Sequence, residues 1–293
     1  MKIAIVGSGG RLGAALAREW RGAGDEIIGF NHAALDLASD AMIAEKIGAL
    51  DFDVLVNCAA QTNVDFCETH PEDAFAINAA AVQSLAELCS RKLRRCIHIS
   101  TDYVFDGEKT EPYIEEDIAR PLGVYAASKL EGERRLLAAW DQHLAIRVSW
   151  VFGPDRPSFI DQILQRARTT AELAAVADKW AVPTYTLDAA RLLRPFLRDV
   201  PAGGLLHLCN TGGCTWQEYG QFALDCAARA GLSLVGQRVA PQKMADLKAF
   251  IARRPVQTVM STAKLTRLTG QHPRPWREAV EEYVRAFVAA AQS

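Results

Sequence analysis

The sequence has no surplus of charge of either sign: 33 Lys and Arg stand against 35 Asp and Glu in 293 residues, a formal net charge of −2. It lacks the basic excess with which proteins neutralise a phosphate backbone, so nucleic acid is not an expected partner. No stretch approaches the ~18 uncharged apolar residues of a membrane-spanning helix. The strand-like run Lys2–Val6 stops at Gly7, too short for the apolar region of a signal peptide. The seven cysteines (58, 67, 89, 96, 209, 214 and 226) are odd in number and form no Cys-x-x-Cys pair, which excludes a disulfide framework and the usual zinc sites. No His, Asp or Glu brackets the 89/96 or 209/214 pair at ligand spacing, so both read as small buried hydrophobes. The expectation is a cytoplasmic chain with reduced thiols, no metal and no membrane partner.

What is present is an ordinary globular composition, 49% hydrophobic, and an alternation of short apolar runs with longer amphipathic ones. The runs fall at 2–6, 12–21, 26–30, 54–57, 72–90, 96–100, 125–140 and 145–151, a βαβ pattern around a parallel sheet. The strand-length runs are nearly continuous in Val, Ile, Leu and Cys, as for strands covered by helices on both faces. Beyond Phe152, Pro154, Pro157, Pro183 and Pro201 punctuate shorter elements, with helical stretches at 159–168, 188–199, 216–230 and 276–291. The expected fold is α/β: a Rossmann-type doubly wound parallel sheet over 1–152, then a smaller, mainly substrate-binding C-terminal lobe over 153–293. Some elements of that lobe are expected to return to the Rossmann sheet.

Strand 2–6 runs directly into Gly7-Ser-Gly-Gly10-Arg-Leu-Gly13 and a helix. A glycine motif with these flanks reads as a dinucleotide pyrophosphate site. Gly7 permits the tight turn, Gly10 lets the backbone approach the phosphates and Gly13 lets helix and strand pack closely, while the helix N-terminus offers free N–H groups. The spacing Gly-x-x-Gly-x-x-Gly is that of short-chain dehydrogenases. The second strand ends in Phe30-Asn31-His32, without the acid that marks an NAD site, and Arg11 is near enough in sequence to meet a 2′-phosphate. Both NADPH and NADH are therefore candidates, with NADPH favoured.

Tyr125 and Lys129 lie four residues apart at the start of a helical stretch, on one face a turn apart. Reduction of a ketone by a nicotinamide needs a proton for the carbonyl oxygen, which a free phenol with pKa ≈ 10 supplies poorly near neutrality. An ammonium ~4 Å away contributes about 4 kcal/mol at an effective dielectric of ~20, enough to lower that pKa by up to roughly 3 units before screening and desolvation. The strand ending Ile97-His-Ile-Ser-Thr101-Asp102 places Thr101 at the carboxyl end of a parallel strand, where such folds bind ligands. His98 itself reads as a satisfied core histidine, Glu115-Glu-Asp117 as a solvated loop, and 276–291 as a terminal packing helix.

These residues, with Asp53-Val-Leu-Val-Asn57, Ala59-Ala-Gln-Thr62, Ala74-Phe-Ala-Ile-Asn78, Ser100-Thr-Asp-Tyr-Val-Phe-Asp-Gly107, Arg147-Val-Ser-Trp-Val-Phe-Gly153 and Arg253-Arg-Pro255, span nearly the whole chain. Together they make it resemble the extended short-chain dehydrogenase/reductase family, and within it the reductases of nucleotide-linked keto-deoxysugars. The resemblance implies hydride delivery to C4 of dTDP-4-dehydro-6-deoxy-L-mannose, with Thr101, Tyr125 and Lys129 as the catalytic trio and Lys129 also holding the nicotinamide ribose. It implies Gly10, Arg11 and Leu12 at the pyrophosphate, Asp36 and Leu37 at the adenine, and Ala60, Gln61 and Thr62 along the dinucleotide beyond the third strand. It places Thr101, Asp102 and Trp150 against the deoxysugar, and homodimers are common in the family. The segment around Asp178 departs from the family pattern at Lys179, Trp180 and Ala181, so a related nucleotide-sugar reductase or epimerase is a second reading. A third, of another class, is a non-catalytic NADP-binding regulatory subunit.

Overall fold

The computed structural model describes residues 1–247 and 249–292. Its main sheet has six strands, β1 (Lys2–Val6), β2 (Glu26–Phe30), β3 (Val54–Asn57), β4 (Arg95–Thr101), β5 (Leu144–Val148) and β6 (Gly204–His207), in the order β6-β5-β4-β3-β1-β2. Every pairing is parallel, as expected of the doubly wound α/β class. The chain runs outward from β1 to β2 and resumes at β3 on the other flank of β1. That reversal opens a crevice at the carboxyl ends of β1 and β3.

The helices that cover the sheet are α1 (Arg11–Gly22), α2 (Asp40–Gly48), α3 (Ala81–Arg91), α4 (Val124–Ala139) and α5 (Thr186–Leu193). Side chains alternate along a strand, and the cores follow that alternation. Ile3, Ile5, Val54 and Val56 pack with Leu16 and Trp20 of α1 and Leu192 of α5. Ala4, Val6 and Leu55 point the other way, to Ile43 of α2, Leu85 of α3 and Leu136 of α4. β6 and α5 come from the C-terminal half, so residues beyond 153 help complete the sheet and its covering layer. A further core, rich in aromatic residues, joins Phe152, Tyr185, Tyr219, Trp276 and Tyr283 among the helices Phe159–Ala167, Trp216–Arg229 and Trp276–Gln292.

Three elements differ from the sequence pattern, each for a local reason. The run 72–90 is not one regular helix: Pro71–Phe75 leads through a π-helical turn, Ala76–Ala80, into α3. The strand expected to reach 151 ends at Val148, because Trp150 adopts φ 38° and Val151–Phe152 pairs instead with Thr184–Tyr185. The stretch 188–199 is divided where Pro195, which has no N–H to donate, begins a separate short helix.

The π turn lies where α4 crosses closest. A Cβ on Gly132 of α4 would sit 2.1 Å from the carbonyl oxygen of Asn78, a backbone atom that cannot swing aside. Gly132→Ala is therefore expected to lower stability by about 1–3 kcal/mol, the usual range for overpacking. Urea unfolding measures the effect, and an unchanged midpoint would mean that the helices separate freely.

Candidate active site

The carboxyl ends of β1, β3, β4 and β5 open into a cleft of about 1040 Å³. At its floor, β1 turns into α1 through the glycines. Gly7 has φ +81°, and a Cβ there would lie 2.6 Å from the nitrogen of Ala59. At Gly13 a Cβ would meet the oxygen of Gly7 at 2.3 Å, so only glycine lets helix and turn approach this closely. Gly10 is the N-cap of α1 and contributes no side-chain cap. Gly7, Gly9, Gly10, Arg11 and Leu12 line the cleft where a helix leaves N–H groups without intrahelical acceptors. The bare backbone cradle and the exposed helix end fit a dinucleotide diphosphate.

The side chain of Arg11 does something other than reach for a 2′-phosphate. Its Nε donates to the carbonyl of Arg156 at 3.1 Å and its Nη1 to that of Val151 at 3.2 Å, while Nη2 donates to Pro157. With its donors turned to three carbonyls, the guanidinium clamps the 151–157 segment. Arg156 returns the contact through Nε to the Gly9 carbonyl at 2.9 Å, and it lines the cleft with Asn31 and His32. Leu37, Ala60, Gln61 and Thr62 are on the cleft wall, but Asp36 is not. Its side chain accepts the N–H of Ala38 at 2.9 Å, and Leu35 lines the wall in its vicinity.

Thr101, Asp102, Tyr125, Lys129 and Trp150 all reach the same cleft. The Thr101 hydroxyl caps the N–H of Tyr103 and donates to Asp102 Oδ1, both at 3.2 Å. Asp102 Oδ2 accepts from Thr258 at 2.5 Å, and burial raises its carboxyl above the ordinary value. Tyr125 meets Tyr103 edge to face, ring centroids 5.9 Å apart. Burial raises the Tyr125 phenol and the Thr101 hydroxyl opposes the rise. Lys129 is not among the groups that lower it, contrary to the sequence expectation. The lysine amine is drawn instead to the carbonyl of Ile99 at 2.7 Å and to His98 Nε2 at 3.0 Å, and burial lowers its pKa to about 8. Trp150 holds a left-handed backbone, and its indole Nε1 is buried with no hydrogen-bond partner among the described residues.

Five residues of the site and its framework were given no such role by the sequence reading. Asn78 ties two walls together, since its Oδ1 accepts the N–H of Gln61 at 2.9 Å and its Nδ2 donates to Ser128 of α4 at 3.0 Å. His98 and Asn57 form a buried pair behind Lys129. Lys179, 1% exposed, lies over the ring of Tyr103 at 4.5 Å and donates to the carbonyl of Pro255 at 2.5 Å. Glu115 is a correction: it is buried, accepting the N–H of His207 at 2.8 Å, because that loop folds back over β6. An alternation pattern has no means of showing partners so distant in sequence.

The family model described as the RmlD substrate binding domain matches residues 1–289. A spore coat polysaccharide biosynthesis protein of Bacillus subtilis, SpsK, is 34% identical over 97% of each chain. A dTDP-4-dehydrorhamnose reductase of Sinorhizobium fredii is 33% identical over 98% of each. Among solved structures, the dTDP-4-dehydrorhamnose reductase of Bacillus anthracis in complex with NADP superposes with a TM-score of 0.88 at 26% identity, covering 96% of this chain and 98% of that one.

On the outer side, residues 250–254 are fastened by one carboxylate. Asp65 accepts the N–H groups of Ile251 and Ala252, both at 2.9 Å, and pairs with Arg254 Nη2 at 2.6 Å. The Arg254 hydrogen bond is the main cause that brings the carboxyl down to about 2. A carboxyl depressed in the folded state stabilises it above the unfolded pKa of ~3.9, and that contribution is lost as pH falls toward the folded value. Wild type is therefore expected to melt above Asp65→Asn at pH 5, with the gap closing toward pH 2. A gap that stays constant in thermal melts across this range would dissociate the pair from stability.

Proposed function

Because this chain belongs to the RmlD substrate binding domain family, we propose that it reduces the C4 ketone of dTDP-4-dehydro-6-deoxy-L-mannose to dTDP-L-rhamnose. It is an NAD(P)H-dependent oxidoreductase. The observation that carries the reading is the convergence of Thr101, Tyr125 and Lys129 on one cleft with the glycine cradle of β1 and α1. A nicotinamide dinucleotide bound in that cradle supplies the hydride.

The chain's own residues supply the rest. Arg11 and Leu12 present backbone N–H groups to the diphosphate, Gly10, whose own N–H is held by the Gly7 carbonyl at 3.0 Å, lets the backbone come close to it, and Ala60, Gln61 and Thr62 border the dinucleotide beyond β3. Leu37 flanks the adenine, while Asp36 lies off the cleft wall. Tyr125 gives its phenolic proton to the ketone oxygen. Burial holds that proton on the ring, and the negative charge that develops on the ketone oxygen as hydride arrives draws it off. Thr101, beside it, donates to the same oxygen, Lys129 holds the nicotinamide ribose, and Asp102 and Trp150 border the sugar. Beyond residue 153, Arg156 borders the same cleft.

The NADPH preference rests on Asn31 and Arg156. Asn31 leaves the end of β2 without a repelling carboxylate. The Arg156 guanidinium, 3.9 Å from where a Cβ on Gly9 would stand, is the cation beside it, in place of Arg11. A different sugar is the second reading, favoured by Lys179 packed against Tyr103 next to Asp102, and by Trp180, which is 38% exposed.

The assay follows oxidation of NADPH and NADH with enzymatically generated dTDP-4-dehydro-6-deoxy-L-mannose. Tyr125→Phe is expected to lose about 100-fold to 10,000-fold in turnover with cofactor binding intact. Arg156→Ala is expected to weaken NADPH about tenfold more than NADH, the loss of one charge-assisted contact beyond the brace on Gly9 that both dinucleotides share. Binding of the dinucleotide without turnover of this substrate would overturn the assignment in favour of another keto-sugar or a regulatory role.

A further inference from the structure

Behind Lys129 lies a chain of polar groups whose proton positions follow from geometry. His98 on β4 is in register with Asn57 on β3, and both are fully buried. Asn57 Oδ1 accepts the N–H of Ala59 at 3.0 Å, which fixes the orientation of the amide. The atom turned to His98 Nδ1, at 3.1 Å, is therefore Asn57 Nδ2. An amide nitrogen donates and cannot accept, so Nδ1 is the acceptor and the ring proton of the neutral imidazole sits on Nε2. Nε2 is 3.0 Å from Lys129 Nζ. An N–H aimed at that nitrogen opposes an ammonium, proton against proton, and suits an amine, whose lone pair accepts it.

We propose that Asn57 locks His98 in the Nε2–H tautomer and that this N–H biases Lys129 toward the neutral amine, making His98 a positioning residue for the proton chemistry of the site. The other groups facing the lysine do not reverse the bias. Glu133, on α4 itself, is engaged by Arg147 at 2.9 and 2.6 Å and by Ser100 at 2.5 Å. Cys58, following β3, is a neutral thiol, pushed by burial up to about 12. The Ile99 carbonyl accepts a proton from the lysine in either state. The imidazole is held neutral by burial, with Lys129 adding to the effect, and the lysine falls to about 8, chiefly by burial.

The consequence rests on the reading of Tyr125 as the proton donor. After the phenol has given its proton to the substrate oxygen, Lys129, which lines the same cleft, restores it through a bridging water. An Nζ–H bond breaks, the phenolic O–H forms, and the amine lone pair left behind accepts the His98 N–H. A lysine that releases its proton near neutrality is matched to this task, where an ordinary ammonium is not.

The test uses ligand-free protein and needs no substrate. Two-bond ¹H–¹⁵N correlation spectra of ¹⁵N-histidine protein are expected to show His98 protonated at Nε2 alone, and the Nδ1–H tautomer would overturn the lock. In ¹³C-lysine protein, His98→Leu, which removes the N–H that faces the amine, is expected to raise the Lys129 titration by about one unit. Asn57→Asp is expected to convert His98 to the Nδ1–H tautomer and to move Lys129 upward as well. No shift or a downward shift in His98→Leu overturns the proposal, and if that variant does not fold the wild-type tautomer decides. A protein that shows the lock but does not turn over the keto-sugar removes the functional reading and leaves the lock standing. Turnover with the wrong tautomer does the reverse.

Discussion

The close approach of α4 to the carbonyl of Asn78 governs the geometry of this site. Gly132 brings the helix so near that a methyl group would stand 2.1 Å from the oxygen. The Asn78 side chain then bridges to Ser128 of the same helix and to the backbone of Gln61. One contact thus sets the depth at which Tyr125 and Lys129 enter the cleft and holds the strand-end loop that forms its opposite wall. The π turn at 76–80 is the accommodation made on the other side, an extra residue where regular helix would have carried Asn78 past its partners.

Burying charge at the end of a sheet is costly unless each charge is matched. The fold treats its buried cations in different ways. Arg147 on β5 meets Glu133 in a two-bond pair, with Ser100 completing the carboxylate, and removing either partner would strand a buried charge at a cost of about 3–5 kcal/mol. Lys129, one turn from Glu133 on α4, has no carboxylate of its own within salt-bridge distance among the described residues. The difference is functional in kind: a paired arginine is an inert support, while an unpaired lysine against a carbonyl and an imidazole retains a pKa that can move.

How much of this was legible in sequence depended on whether the signal was local. β1 and β3 have the expected bounds because they are buried along nearly their whole length, and β2, half-exposed at the sheet edge, keeps its bounds through the run Ile27-Ile28-Gly29-Phe30. The glycine turn was readable because its constraint, a backbone with no room for Cβ, is written in consecutive residues. Thr101, Tyr125, Lys129 and Trp150 were found by spacing and resemblance, and the fold brings them to one cleft. What spacing did not show is where a long polar side chain points. Arg11 was expected to face a phosphate and holds carbonyls some 140 residues away. His98 was a plain core residue by pattern, and its meaning emerged only with the parallel register that sets Asn57 beside it. Glu115 reads as solvated until β6 is placed under it.

The clamp between Arg11 and the 151–157 segment also explains why the cleft joins two kinds of ligand. Arg11 leaves the first turn of α1, where a diphosphate would sit, and grips the carbonyls of Val151 and Arg156. Arg156 grips the Gly9 carbonyl in return, and Arg18 reaches Asp155 from farther along α1. The segment thus held begins next to Trp150, whose left-handed backbone is a conformation a bulky side chain keeps only when its surroundings over-determine it. Val151 and Phe152 then tie that corner to Thr184 and Tyr185, at the edge of the aromatic lobe. The phosphate turn and the cleft-lining Trp150 are consequently parts of one braced unit, so a ligand that settles the glycine turn also settles the corner that carries the indole.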